Sequence, residues 1–262
     1  MANRPVEEWA RQVVAAALRE SVVIHDDGSA PSMYDLQIGP DGDVRYAIEV
    51  VGAVDQAATA MWNTGPARGP LQLPVSGDWY ITLRSEASIK ALKEDLTELL
   101  LPLEAAGIVE ASAADPYGRQ DPALSAALDR LSIDHATCLS PSGTGRIHMG
   151  SMPIVSPVDN TGSQVSAWVG EFLREPTKAD VLSKLRNSKA PRMEAFIAVE
   201  LQGAPDAVTL YLTGTIEVAP TTSPDLPGGI TGVWVCHTGA RQGLYWDGRA
   251  WRVISARATS AD

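Results

Sequence analysis

The sequence predicts an α/β or α+β protein: a mixed sheet flanked by helices, with a β-rich C-terminal extension. Three observations carry this. A hairpin pattern lies near the N-terminus, two long amphipathic helical stretches follow it, and strand-like runs dominate the last third. At 262 residues, with 45% hydrophobic and 20% charged residues, the chain can bury a substantial core.

The hairpin comes first in the argument because its register can be derived. Tyr34, Leu36 and Ile38 alternate in one run, and Val44, Tyr46, Ile48 and Val50 in the next, around Gly-Pro-Asp-Gly. If both even-numbered sets face one core, paired residue numbers sum to an even value, which a three-residue loop Asp41-Gly42-Asp43 satisfies. Asp35 then stands opposite Glu49, with side chains about 5 Å apart on the other face. A carboxylate pair costs energy in a purely structural hairpin, and a divalent cation bound through oxygen would account for it.

Around the hairpin, Pro5 to Ser21 predicts a helix, with Val6, Trp9, Val13, Val14, Ala17 and Leu18 inward and Glu7 and Glu8 complementing its dipole. His25 reads as a loop residue and only a weak ligand candidate. A short helix is expected over 55–63, a third and central strand over Trp79–Leu83, and a long helix over 86–106.

This order resembles the core of the PD-(D/E)XK, or restriction-endonuclease-like, superfamily over roughly residues 1–106. The resemblance implies that Asp35 and Glu49 are Mg²⁺ ligands, with Glu8 as the nearest match to a first-helix glutamate. It also implies a lysine two residues after Glu49, where this chain has Val51, and a proline before the Asp, where it has Tyr34. Valine can neither stabilise a phosphorane nor activate water.

Beyond residue 114 the loop DPYGRQDP marks an expected boundary, giving a core over 1–114 and a second part over 115–262 that either stands apart or completes the same domain. A hairpin is expected over 135–149 around a Ser/Gly turn, with His148 in it and no phosphate-loop lysine. Helices follow over 161–174 and 176–187. From Glu171 to Arg192 there are six basic residues against three acidic ones. This is a solvated helix face or a phosphate-contacting strip, in which Lys178 or Lys184 replaces the missing motif lysine. Strands are expected over 195–201, 208–212, 232–236 and 243–254. Trp234, Trp246 and Trp251 read as core or cross-strand pairs. The ensemble also resembles Ala-rich bacterial proteins that join such a core to a Trp-rich hairpin.

Charge limits the partners. The net charge is -11, with 10 Lys+Arg against 20 Asp+Glu up to Leu131, so nonspecific nucleic-acid binding is disfavoured. A protein partner stays open, and no membrane partner is expected. No apolar run is long enough to span a bilayer, and the polar N-terminus lacks a signal peptide's apolar region, which points to the cytoplasm. Cys138 and Cys236 lack metal spacing and read as reduced thiols, with a disulfide between them as the alternative. Two functions follow: a metal-dependent nuclease using Asp35, Glu49 and Lys184 or Lys178, or a noncatalytic binding or adaptor protein on the same scaffold. Lys184 beside the carboxylates favours the first; Arg45 capping them favours the second.

Overall fold

The computed structural model describes residues 4–28, 32–56, 59, 63, 69–84, 86–114, 121–150, 161–200 and 203–257. The protein is mixed α/β. Two compact units divide it: Met1–Val54 with Val155–Asp262, and Asp55–Ile154. The C-terminal half therefore completes the hairpin's own domain, and the second unit is inserted into it, in place of a division at residue 114.

The first unit is built on a seven-stranded sheet. Its strands are β1 (Val23–Ile24), β2 (Leu36–Ile38), β3 (Tyr46–Ala53), β9 (Arg192–Val199), β10 (Gly232–His237), β11 (Gln242–Trp246) and β12 (Trp251–Ser255), in that spatial order. β2 and β3 pair with Leu36 opposite Ile48 and Ile38 opposite Tyr46, the register derived above, and Gly42 takes φ 88 in the turn. β3, β9 and β10 run parallel. Strands in that position are covered on both faces, which is why AFIAV and VWVC are continuous apolar runs.

Helix α1 (Arg4–Leu18) covers one face, with Ala10, Val13 and Val14 against Leu36, Ile48, Phe196 and Trp234. On the other face α4 (Ser163–Arg174), α5 (Ala179–Ser188) and α6 (Asp206–Thr213) pack Val169, Phe172, Val181, Leu185 and Leu212 against Val51, Ala195 and Val233. A strand expected over 208–212 is thus a helix. VTLYL is apolar enough for either structure, but a parallel β9–β10 pair needs a crossover, and a hairpin between them cannot supply it. Val208, Tyr211 and Leu212 turn inward at helical spacing.

The Trp hairpin forms as expected. Trp246 pairs with Trp251 and Gly248 takes φ 91, while Trp234 stacks on Tyr245 at 3.7 Å. All three tryptophans are buried.

The inserted unit holds a five-stranded sheet of β4 (Leu71–Gln72), β8 (Arg146–Gly150), β5 (Asp78–Leu83), β7 (Ile133–Ser140) and β6 (Glu110–Ser112), in that order. The strand expected over Trp79–Leu83 is central, but in this sheet rather than the hairpin's. Helices α2 (Ile89–Ala105) and α3 (Pro122–Arg130) supply Leu92, Leu96, Leu100 and Leu128 to its core. The hairpin expected over 135–149 is not one: β7 and β8 flank β5, antiparallel and parallel to it. Their connecting turn is fixed by Asp78, whose Oδ1 accepts from Thr144 N and Arg146 N at 2.7 and 2.9 Å. His148 lies on β8 in this unit. The short helix expected over 55–63 falls largely outside the described residues, as does most of the 115–122 loop.

Among the described residues, no helix is long and apolar enough to cross a membrane.

Candidate functional site

The site forms where β2 ends and β3 continues. β2 pairs with β3 over residues 36–38, and among the described residues the outer edge of β3 beyond Ile48 has no strand neighbour. Asp35 closes the first step of that edge: its Oδ2 accepts the Val50 N–H at 2.7 Å. Glu49 sits on the face covered by α5, almost fully buried at 4% exposure.

Lys184, on α5, reaches the pair from above the sheet. Its Nζ donates to Glu49 Oε1 at 2.6 Å. Glu49 Oε2 is buried, and the Glu49 carboxyl hydrogen-bonds that of Asp35. Arg45 is engaged elsewhere, in a two-bond pair with Glu20 at 2.9 Å. Val51, at the position where the resembled motif carries lysine, is buried in the core under α5. The ammonium is thus supplied by the covering helix, not by the strand.

The electrostatics follow from burial. Desolvation, reinforced by the charge of Asp35, pushes the Glu49 carboxyl up to about 8 against the pull of Lys184. Burial also raises Asp35, although the Val50 hydrogen bond and the Lys184 charge oppose it. Burial works against the Lys184 charge, but the Glu49 hydrogen bond and both carboxylates outweigh it and hold the ammonium above its usual range.

A cleft of about 400 Å³ opens here, lined by Glu7, Asp26, Asp35, Glu49, Lys184 and Glu200 among others. Of the residues singled out in the sequence, Asp35, Glu49 and Lys184 lie together here. Glu8 is not among the lining residues. It is bonded to Arg11 at 2.6 Å and to Gln12 at 2.8 Å, and the Arg11 hydrogen bond lowers its carboxyl to about 2. Its neighbour Glu7 lines the cleft instead and is buried. The signal for this was in the sequence: Glu7 shares the helix face of Ala10 and Val14, three and seven positions on, so a carboxylate sits in an apolar stripe. Asp26 and Glu200 carried no such signal.

Lys178 stands at the rim. Its Nζ lies 3.4 Å from the Gly52 carbonyl oxygen and 4.7 Å over the Phe172 ring, without an ion pair to the carboxylates. The His25 ring stacks on Tyr34 with centroids 4.2 Å apart.

Two neighbouring carboxyls supply oxygen ligands of the kind a hard cation takes; Mg²⁺ is commonly held by one or two carboxylates plus substrate oxygens, and binding here would displace the proton that Glu49 keeps below about 8. Among the described residues, no group of three or more His, Cys, Asp or Glu side chains is arranged to hold a metal. In comparison with known proteins, the chain matches no family model, no curated protein and no solved structure.

Proposed function

We propose that the protein hydrolyses phosphodiesters with a divalent cation at the Asp35–Glu49 pair. One observation carries this reading: Lys184 places an ammonium 2.6 Å from Glu49 Oε1, beside an Asp35 carboxyl that is itself hydrogen-bonded to Glu49. Asp35 and Glu49 would hold Mg²⁺ or Mn²⁺, which when bound polarises the phosphoryl oxygen and lowers the pKa of its water. Asp35 is oriented for this by the Val50 N–H. Lys184 takes the work of the absent strand lysine, positioned to stabilise charge developing on phosphorus. Two reduced thiols suit the cytoplasm as its compartment.

A second reading, a noncatalytic binding or adaptor protein on the same scaffold, draws on Val51 and on the absence of a third ligand beside the pair among the described residues. It expects partner binding without turnover.

Calorimetric titration of Mg²⁺ and Mn²⁺ separates them, using wild type and the isosteric pair Asp35→Asn with Glu49→Gln. Binding that the double variant loses, followed by hydrolysis of a phosphodiester, supports the first reading. No binding to the wild type removes it.

A further inference from the structure

The charges around the cleft bear on what it can take. Glu7, Asp26, Asp35, Glu49 and Glu200 line it against one cation, Lys184. Of the six cations in the basic stretch that would track a phosphate backbone, all but Lys189 are already engaged. Arg174 pairs with Asp225 and Arg192 with Glu194, Lys184 holds Glu49, Arg186 donates to the Gly228 carbonyl, and Lys178 lies against that of Gly52. Arg11 and Arg45 are spent on Glu8 and Glu20. A long polyanion owes its affinity to many free cations along its path, and the rim of this cleft offers carboxylates instead.

Size argues the same way. A cleft of about 400 Å³ lies at the small end of the range that encloses single small molecules, roughly 300–1,000 Å³.

We propose that the substrate is a small phosphodiester of nucleotide or dinucleotide size, carrying one or two phosphates, and not the backbone of a long nucleic acid. This rests on the hydrolytic reading of the same site. The step balances without a further reactant: water oxygen bonds to phosphorus, one P–O ester bond breaks, one water proton ends on the departing alcohol and the other is released from the phosphate monoester.

The test compares turnover of bis(p-nitrophenyl) phosphate and a dinucleotide with that of a long duplex and a long single strand, in Mn²⁺, across salt concentrations. The expected result is a higher kcat/KM per phosphodiester for the small substrates, falling no more than about tenfold between 50 and 200 mM salt, as one or two phosphate contacts dictate. Polymer cleaved faster, with a loss of about 10³ over that range from six or more contacts, overturns the size argument and leaves hydrolysis standing. Cleavage of neither class overturns both. Asp26→Lys with Glu200→Lys is expected to raise polymer cleavage and its salt sensitivity; unchanged polymer cleavage would show that rim charge does not select the substrate.

Discussion

Lys184 Nζ lies 2.6 Å from Glu49 Oε1 although 135 residues separate the two. The contact joins the hairpin to the helix that covers it, and it has separable consequences for stability and chemistry. Lys184→Met removes a hydrogen-bond donor and a neighbouring charge from the buried Glu49 carboxyl. Glu49 already holds its proton below about 8, so the expected loss at neutral pH is about 1–3 kcal/mol, less than for an ion left charged. Hydrolysis is expected to fall by about 10²–10³. Lys184→Arg should keep most of the stability and only part of the activity, because a planar guanidinium does not reproduce a point charge. Denaturant melts and turnover numbers on the same samples check this; activity within tenfold of wild type would leave the lysine a structural role only.

Stability should depend on pH through Glu49. Its folded-state value is about 8 against an ordinary 4.5. Between those values the unfolded chain is ionised while the native state keeps its proton, so stability is full below about 4.5 and is lost as pH rises through 8. The slope is at most about 1.4 kcal/mol per pH unit for one proton. Asp35, also raised by burial, adds a slope of the same sign. Lys184 is charged throughout this window and does not cancel it. Urea midpoints should therefore fall from pH 5 to 8, and Glu49→Gln should flatten the fall. A rise over that interval, equal in wild type and variant, would contradict the assignment.

The hairpin and its carboxylate pair were legible because they depend on a period of two and on one turn glycine, Gly42, which together leave a single register. The parts that were not legible depend on what lies elsewhere in the chain. VTLYL at 208–212 has the composition of a strand, and only the parallel pairing of β9 with β10 makes it a crossover helix. The insertion at 55–154 cuts the first unit between β3 and β9, and no shift in composition announces that two segments so far apart are neighbours in one sheet. Lys184 was visible as one of two lysines, with Lys178, that could replace the missing motif lysine; the choice between them comes from α5 lying over β3. Glu7 and Glu8 differ by one position, about 100° around the helix, and the buried stripe decides between them.

A second buried carboxylate offers a contrast with the site. Glu194 is fully buried, and its oxygens are satisfied: Oε1 by Arg192 Nη2 at 2.7 Å and Tyr245 OH at 3.1 Å, Oε2 by Trp234 Nε1 at 2.7 Å. Such a closed network reads as architecture. Arg192→Ala should cost about 3–5 kcal/mol by leaving the carboxylate without its charge partner. Replacing both residues, Arg192→Met with Glu194→Leu, should cost clearly less than the single change. A double-variant cycle by chemical denaturation with Arg192→Met, Glu194→Leu and the two together measures the coupling, and a double-variant cost equal to the sum of the two single costs would show that the pair is not coupled.

The thiols provide a check on the burial of the sheet. Cys236 is fully buried on β10 and Cys138 is partly exposed on β7 in the inserted unit. Burial raises both thiols above their usual value. Reactivity follows the thiolate and its access, so a disulfide-exchange reagent should label Cys138 slowly in the native protein and leave Cys236 untouched. Both should react once the chain is unfolded without reductant. Cys138→Ser should abolish the native signal and keep the unfolded one. Rapid labelling of two thiols in the native state would mean that the sheet around β10 opens far more readily than its packing between α1 and α6 implies, and no labelling of the unfolded chain would reveal a disulfide in place of the two free thiols.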